Sequence, residues 1–133
     1  MRRWTEVIAA VVIVASGVGL VIWSRAPSGP PPDPLALELR RFRKMTDDDE
    51  RRDAIRRFGQ IQDPRVTVAL MEVVEAEAAK NRHDGLMMLA AGAVVHYHMP
   101  KEEIMPVKYW TCARMWWEKN EAEVRRQAAA LPQ

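Results

Sequence analysis

The sequence predicts an all-α protein: an N-terminal single transmembrane helix, a proline-rich linker and a small helical domain. Three observations carry this prediction. Residues Val7 to Trp23 form an apolar run without a charge. Behind it, helix starts built on Asp-Pro or Asp-Gly recur. Nothing alternates apolar and polar residues over the length of a strand. The expected boundaries are 1–25 for the anchor, 26–33 for the linker and 34–133 for the domain.

The anchor comes first. Trp4 to Trp23 covers twenty positions, roughly 30 Å of helix, which matches the hydrocarbon core of a bilayer. Trp4 and Trp23 stand at the two ends, where amphipathic rings favour the headgroup level. Arg2, Arg3 and Arg25 flank them. A cleaved secretory signal is the rival reading. The apolar run is long for one, and the natural cleavage point at Ser24-Arg25-Ala26 is followed at once by Pro27. The anchor is therefore expected to stay. Its short basic tail favours a cytoplasmic N-terminus and an extracytoplasmic domain. Ala15 and Gly19 place small residues four apart, a spacing that lets two membrane helices approach closely.

Pro27 and Pro30 to Pro32 make the linker. Consecutive prolines favour an extended polyproline II path, a semi-rigid stalk between anchor and domain.

Helix starts then follow in order. Asp33-Pro34 reads as an N-cap with Pro at the first helical position, and Leu35, Leu39 and Phe42 share a face. Thr46 is the expected cap of a second helix whose first turn holds Asp47, Asp48, Asp49 and Glu50. Asp63-Pro64 repeats the first signal. Asp84-Gly85 opens a run from Leu86 to Val95 that is apolar nearly all round, which predicts the central, buried helix. Pro100 ends it. Pro106 is the expected start of a last helix, interrupted or recapped at Asn120.

Charge bounds the partners. The chain carries a net +2, with 20 basic and 18 acidic residues. Arg2, Arg3, Arg25 and Glu6 precede Asp33, so the chain from Asp33 onward holds seventeen of each sign and is neutral. Nucleic acid is not an expected partner, because phosphate binding needs a basic face. The bilayer and other proteins of a membrane complex are.

Residues 51–74 resemble a HEAT-like repeat of the bacterial phycobilisome-lyase type. The resemblance rests on Arg51-Arg52, Ala54, Phe58-Gly59, Ile61, Asp63-Pro64-Arg65 and Ala69-Leu70. It implies a helix pair whose turn is made by Gly59, Asp63, Pro64 and Arg65, with Arg65 bracing neighbouring units. Val124 to Leu131 looks like the opening of another first helix. Such repeats present surfaces to proteins, and no residue here carries over a lyase activity.

Catalytic chemistry is not expected. Ser16, Ser24 and Ser28 all precede the domain, whose glycines are Gly59, Gly85 and Gly92. That leaves neither a serine nucleophile nor a phosphate-cradling loop. Cys112 stands alone and reads as a buried thiol. The one metal-like cluster is His96, His98 and Met99, with Met105, Cys112 and Met115 downstream. Such soft ligands suit copper, which makes a metal-binding or sensory membrane protein the alternative reading. The two histidines, however, are two apart on a helix and point about 200° from each other. No cofactor is expected. Tyr109, Cys112 and Trp116 form one stripe, and Trp110, Ala113 and Trp117 the next. A small core covers both only with difficulty, so Trp110, Trp116 and Trp117 are the candidate contacts for a partner. The sequence therefore predicts a membrane-anchored, non-enzymatic scaffold or accessory subunit.

Overall fold

A computed structural model describes residues 33–133. The expected anchor, with Trp4, Ala15, Gly19 and Trp23, and nearly all of the linker lie outside the described residues. Within them every regular element is helical, and none is long and apolar enough to cross a membrane.

Helix α1 (Pro34–Lys44) starts as expected. Asp33 caps it, its Oδ1 accepting from the backbone N–H of Leu35 at 2.9 Å, and Pro34 opens the first turn. It buries Ala36, Leu39 and Phe42. Helix α2 (Asp48–Phe58) is capped by Asp47, one residue later than the expected Thr46. The Asp47 carboxylate reaches the N–H of Glu50 at 3.0 Å. Phe42 and Phe58 meet edge to face with centroids 5.0 Å apart, the geometry that ring quadrupoles favour.

Helix α3 (Pro64–Ala79) is the centre of the domain. It packs against α1, α4 and α5, which buries Val66 to Met71 together with Val73 and Val74. The central position was expected for Leu86 to Val95. That run instead forms α4 (Gly85–Ala93), capped by Asp84, and keeps an open side. It buries Leu86, Met87, Ala90 and Ala91 and leaves Met88 exposed. Its main cover comes from α2, α3 and α5.

Helix α4 runs on into a π-helical turn, Val94–His98, where the N–H of Met99 bonds the carbonyl of Val94 at 3.0 Å. A short 3₁₀ turn, Lys101–Glu103, follows. Helix α5 (Tyr109–Ala129) begins three residues after Pro106 and passes through Asn120 without a break. The Asn120 amide donates to the Trp116 carbonyl at 2.8 Å, one turn back. Val124 to Ala129 are therefore the last turns of α5, not the start of a new helix. The packing orders α1, α3 and α5 side by side, with α4 against α3 and α5 and α2 against α4.

Candidate protein-interaction surfaces

The Gly59–Arg65 turn is built as a clasp. Arg65 is almost fully buried. Its guanidinium donates to both Asp63 oxygens, at 3.0 and 2.9 Å. It also reaches Asp33 at 2.9 Å and the Pro132 carbonyl at 2.6 Å. One side chain thus ties together the caps of α1 and α3 and the segment after α5. Arg65 therefore braces the residues that flank α1 and α5. The Arg65 side-chain hydrogen bonds hold the Asp33 and Asp63 carboxyls below their ordinary range and raise Arg65 itself. Asp63 also caps α3, accepting from the N–H of Arg65 at 2.8 Å, and Pro64 opens that helix.

Gly59 ends α2, but with φ −60. The reason for glycine is space. A Cβ there would lie 2.6 Å from the Ile55 carbonyl and 3.3 Å from Ala93.

The histidines separate. The His98 ring is inside: Nε2 contacts the Gly59 carbonyl at 2.8 Å and Nδ1 the Thr67 hydroxyl at 2.7 Å. Burial pushes its pKa below 6.5. With the neutral ring donating from Nε2 and accepting at Nδ1, both nitrogens are engaged and neither is free for a metal. His96 turns outward to the Tyr109 hydroxyl at 3.0 Å. Met99 is buried, and no group of three or more His, Cys, Asp or Glu lies together for a metal among the described residues. Cys112 is buried, its Sγ facing the N–H of Met105 at 3.5 Å.

The tryptophan expectation is corrected in its geometry. Trp116 and Trp117 are 8% and 3% exposed and belong to the core. The packing of α5 on both α3 and α4 buries Cys112 and Trp116 of one stripe and Ala113 and Trp117 of the other, while Tyr109 stays exposed. Trp110 is half-buried and tilts against His83 at 4.6 Å. Trp110 and Trp117 still contribute to the lining of a cleft of about 620 Å³ between α3 and α5.

Met115, 44% exposed, also lines this cleft, but most exposed apolar side chains of the described residues lie elsewhere. Every residue from 100 to 109 is exposed, including Ile104, Met105, Val107 and Tyr109. A groove of about 470 Å³ is lined by α2, the outer side of α4, the π-helical turn and Tyr109. Met88, Tyr97 and Tyr109 are its exposed large apolar groups, each near 40%. Gly92 deepens it, since a Cβ there would touch the Tyr109 ring at 3.5 Å. Its one formal charge, Arg56, pairs with Asp53 at 3.2 Å. Sequence reasoning missed this groove because it took α4 for a fully buried helix.

Glu77 was also missed. It is 1% exposed, and its Oε1 has no hydrogen-bond partner among the described residues. Lys80 and Arg82 stand 3.6 and 3.5 Å away. Next to it, Asn81 takes φ 57, and the N–H groups of Arg82 and Asn81 close onto the carbonyls of Glu77 and Ala78 at 2.8 and 2.9 Å. This is a Schellman end with asparagine in the left-handed position.

No family model matches the chain, and no curated protein or solved structure does.

Proposed function

We propose that this protein is a membrane-tethered, non-enzymatic binding module, an accessory or stabilising subunit of a larger membrane protein complex. Respiratory and photosynthetic assemblies are examples of the kind. The residues 1–25 supply the tether, with the N-terminus cytoplasmic and the domain outside. The domain is read as HEAT-like, a reading supported by the motif at 51–74 and by the side-by-side order of α1, α3 and α5.

One observation carries the binding reading: the apolar groove beside α4. Its exposed large apolar groups are two tyrosines and a methionine, types enriched where proteins meet, and its only formal charge, Arg56, is already paired. Contiguous exposed apolar surface of this kind marks interaction sites. The occupant we assign is an apolar segment of a neighbouring subunit.

Purification of the tagged full chain in mild detergent tests this. The wild type is expected to bring a stoichiometric partner, and Met88→Glu with Tyr97→Glu to run alone while keeping its helical circular dichroism. A wild-type protein that runs as a lone monomer would remove the proposal.

A further inference from the structure

The cleft between α3 and α5 differs chemically from the apolar groove. We propose that it docks a basic, amphipathic segment of a partner protein, an interaction independent of the groove beside α4.

Its shape suits an elongated occupant. Trp110, Arg114, Trp117, Glu121 and Arg125 recur at helical spacing along α5 and all line the cleft. From Trp110 to Arg125 the helix rises roughly 22 Å, about four turns. Met71, Glu72 and Glu75 of α3 form the facing wall. The accessible apolar part comes from exposed Met115 and half-buried Trp110, with Met71 and Trp117 buried beneath them.

Charge selects the occupant. Four carboxylates (Glu72, Glu75, Glu118, Glu121) stand against two guanidiniums (Arg114, Arg125), so the lining carries a net −2. Arg114 is held by Glu75 at 3.4 Å and Arg125 by Glu121 at 2.7 Å. Glu72 is met from α1 by Arg43 at 2.9 Å. Glu118 is exposed and joins no ion pair among the described residues. The ring faces are already met by cations of the domain: the Arg125 guanidinium lies 5.5 Å over Trp117, and the Lys108 ammonium 5.9 Å over Trp110. The apolar surface of Met115 and Trp110 beside the carboxylate of Glu118, unpaired among the described residues, fits a segment with apolar side chains flanked by Lys or Arg. The surplus carboxylate repels phosphate, which excludes nucleic acid from this face.

The test uses the full chain in a neutral, sugar-headgroup detergent. The probe is a labelled helical peptide of about 16 residues, matched to the cleft length, with leucines on one face and Lys and Arg on the other. A second peptide replaces those cations by Glu. Anisotropy is expected to show the basic peptide binding at least about tenfold tighter than the acidic one. Raising salt from about 0.1 to about 1 M should weaken it, since exposed ion pairs are screened. Glu75→Lys with Glu118→Lys should reverse the preference, and the milder Glu118→Gln should weaken the basic peptide alone. Met88→Glu should leave binding unchanged, which separates this site from the groove. Equal affinity for the two peptides, binding of neither, or indifference to the Glu75 and Glu118 substitutions would overturn the proposal. So would sedimentation showing cleft-dependent self-association, which would assign the occupant to α1 of a second copy, with its exposed Arg40, Arg41 and Lys44.

Discussion

The turn between α2 and α3 and the connection between α4 and α5 each join two helices of the domain, yet they treat most of their side chains differently. In the first, between Phe58 and Arg65, the charged and buried polar groups find partners within the domain, and Ile61 is its one exposed large apolar side chain. Arg65 satisfies two caps and a carbonyl, His98 reaches back to the Gly59 carbonyl, and Gly59 admits the close approach of Ala93. In the second, residues 100–109 are exposed throughout, with Ile104, Met105, Val107 and Tyr109 among them. A turn that satisfies its own groups holds a fold. A connection that leaves apolar groups in water is stable only because the rest of the domain is, and it offers those groups to something else. The difference teaches where stability and binding should separate under mutation.

The largest effect should come from Arg65→Ala. It leaves Asp63 and Asp33 without their shared cation and frees the segment at Pro132. Breaking a buried ion pair from one side costs roughly 3 kcal/mol or more, and a urea midpoint measures it. Arg65→Lys should recover only part, because an ammonium cannot make the two-pronged contact with Asp63. The wild type should lose stability in acid as the two lowered carboxyls protonate. Their contribution is present above the unfolded value near 3.8 and disappears as pH falls through the lower folded value. The alanine variant should show less of this loss.

Gly59→Ala should rank next. Its methyl meets the Ile55 carbonyl and Ala93, an overpacking cost of roughly 1–3 kcal/mol. A Gly59→Ala protein as stable as the wild type would mean that the turn is looser than the clasp requires.

His98 should give a smaller, pH-dependent effect. Its folded pKa lies below the ordinary 6.5, so the folded state favours the neutral ring. Stability is full above about 6.5 and falls as pH drops below it, until the folded pKa is passed. Urea midpoints at pH 7.5 and pH 5.5 should therefore differ more for the wild type than for His98→Gln. Equal differences would remove His98 from the turn's account.

Least affected in stability should be Ile104→Ser with Val107→Ser. Exposed positions of this kind shift stability by within about 0.5 kcal/mol. A large loss of thermal midpoint would show that the connection is packed, and the comparison between the two regions would fail.

Legibility in the sequence followed the same division. The starts of α1, α3 and α4 were readable because an Asp cap acts on backbone N–H groups two or three residues away. The Asp63-Pro64-Arg65 turn was readable for the same reason. Thr46 and Asp47 compete as adjacent caps, and local chemistry does not choose between them. Pro106 and Asn120 misled because each is only a statistical boundary signal, while burial of Cys112, Ala113, Trp116 and Trp117 carries α5 through. The partners of His98 lie 31 and 39 residues away, and no spacing rule reaches that far. The π-helical turn and the open side of α4 depend on which helices pack where. The apolar groove was therefore invisible until the helices were placed, and the buried Glu77 looked like one charge among many.

Photocrosslinking in native membranes tests the central claim most directly. A photoreactive residue at position 97, on the apolar groove, is compared with one at position 50, exposed at the start of α2. The account predicts a discrete adduct with a neighbouring membrane subunit from position 97 and none from position 50. No adduct from position 97, or the same diffuse pattern from both positions, would contradict it.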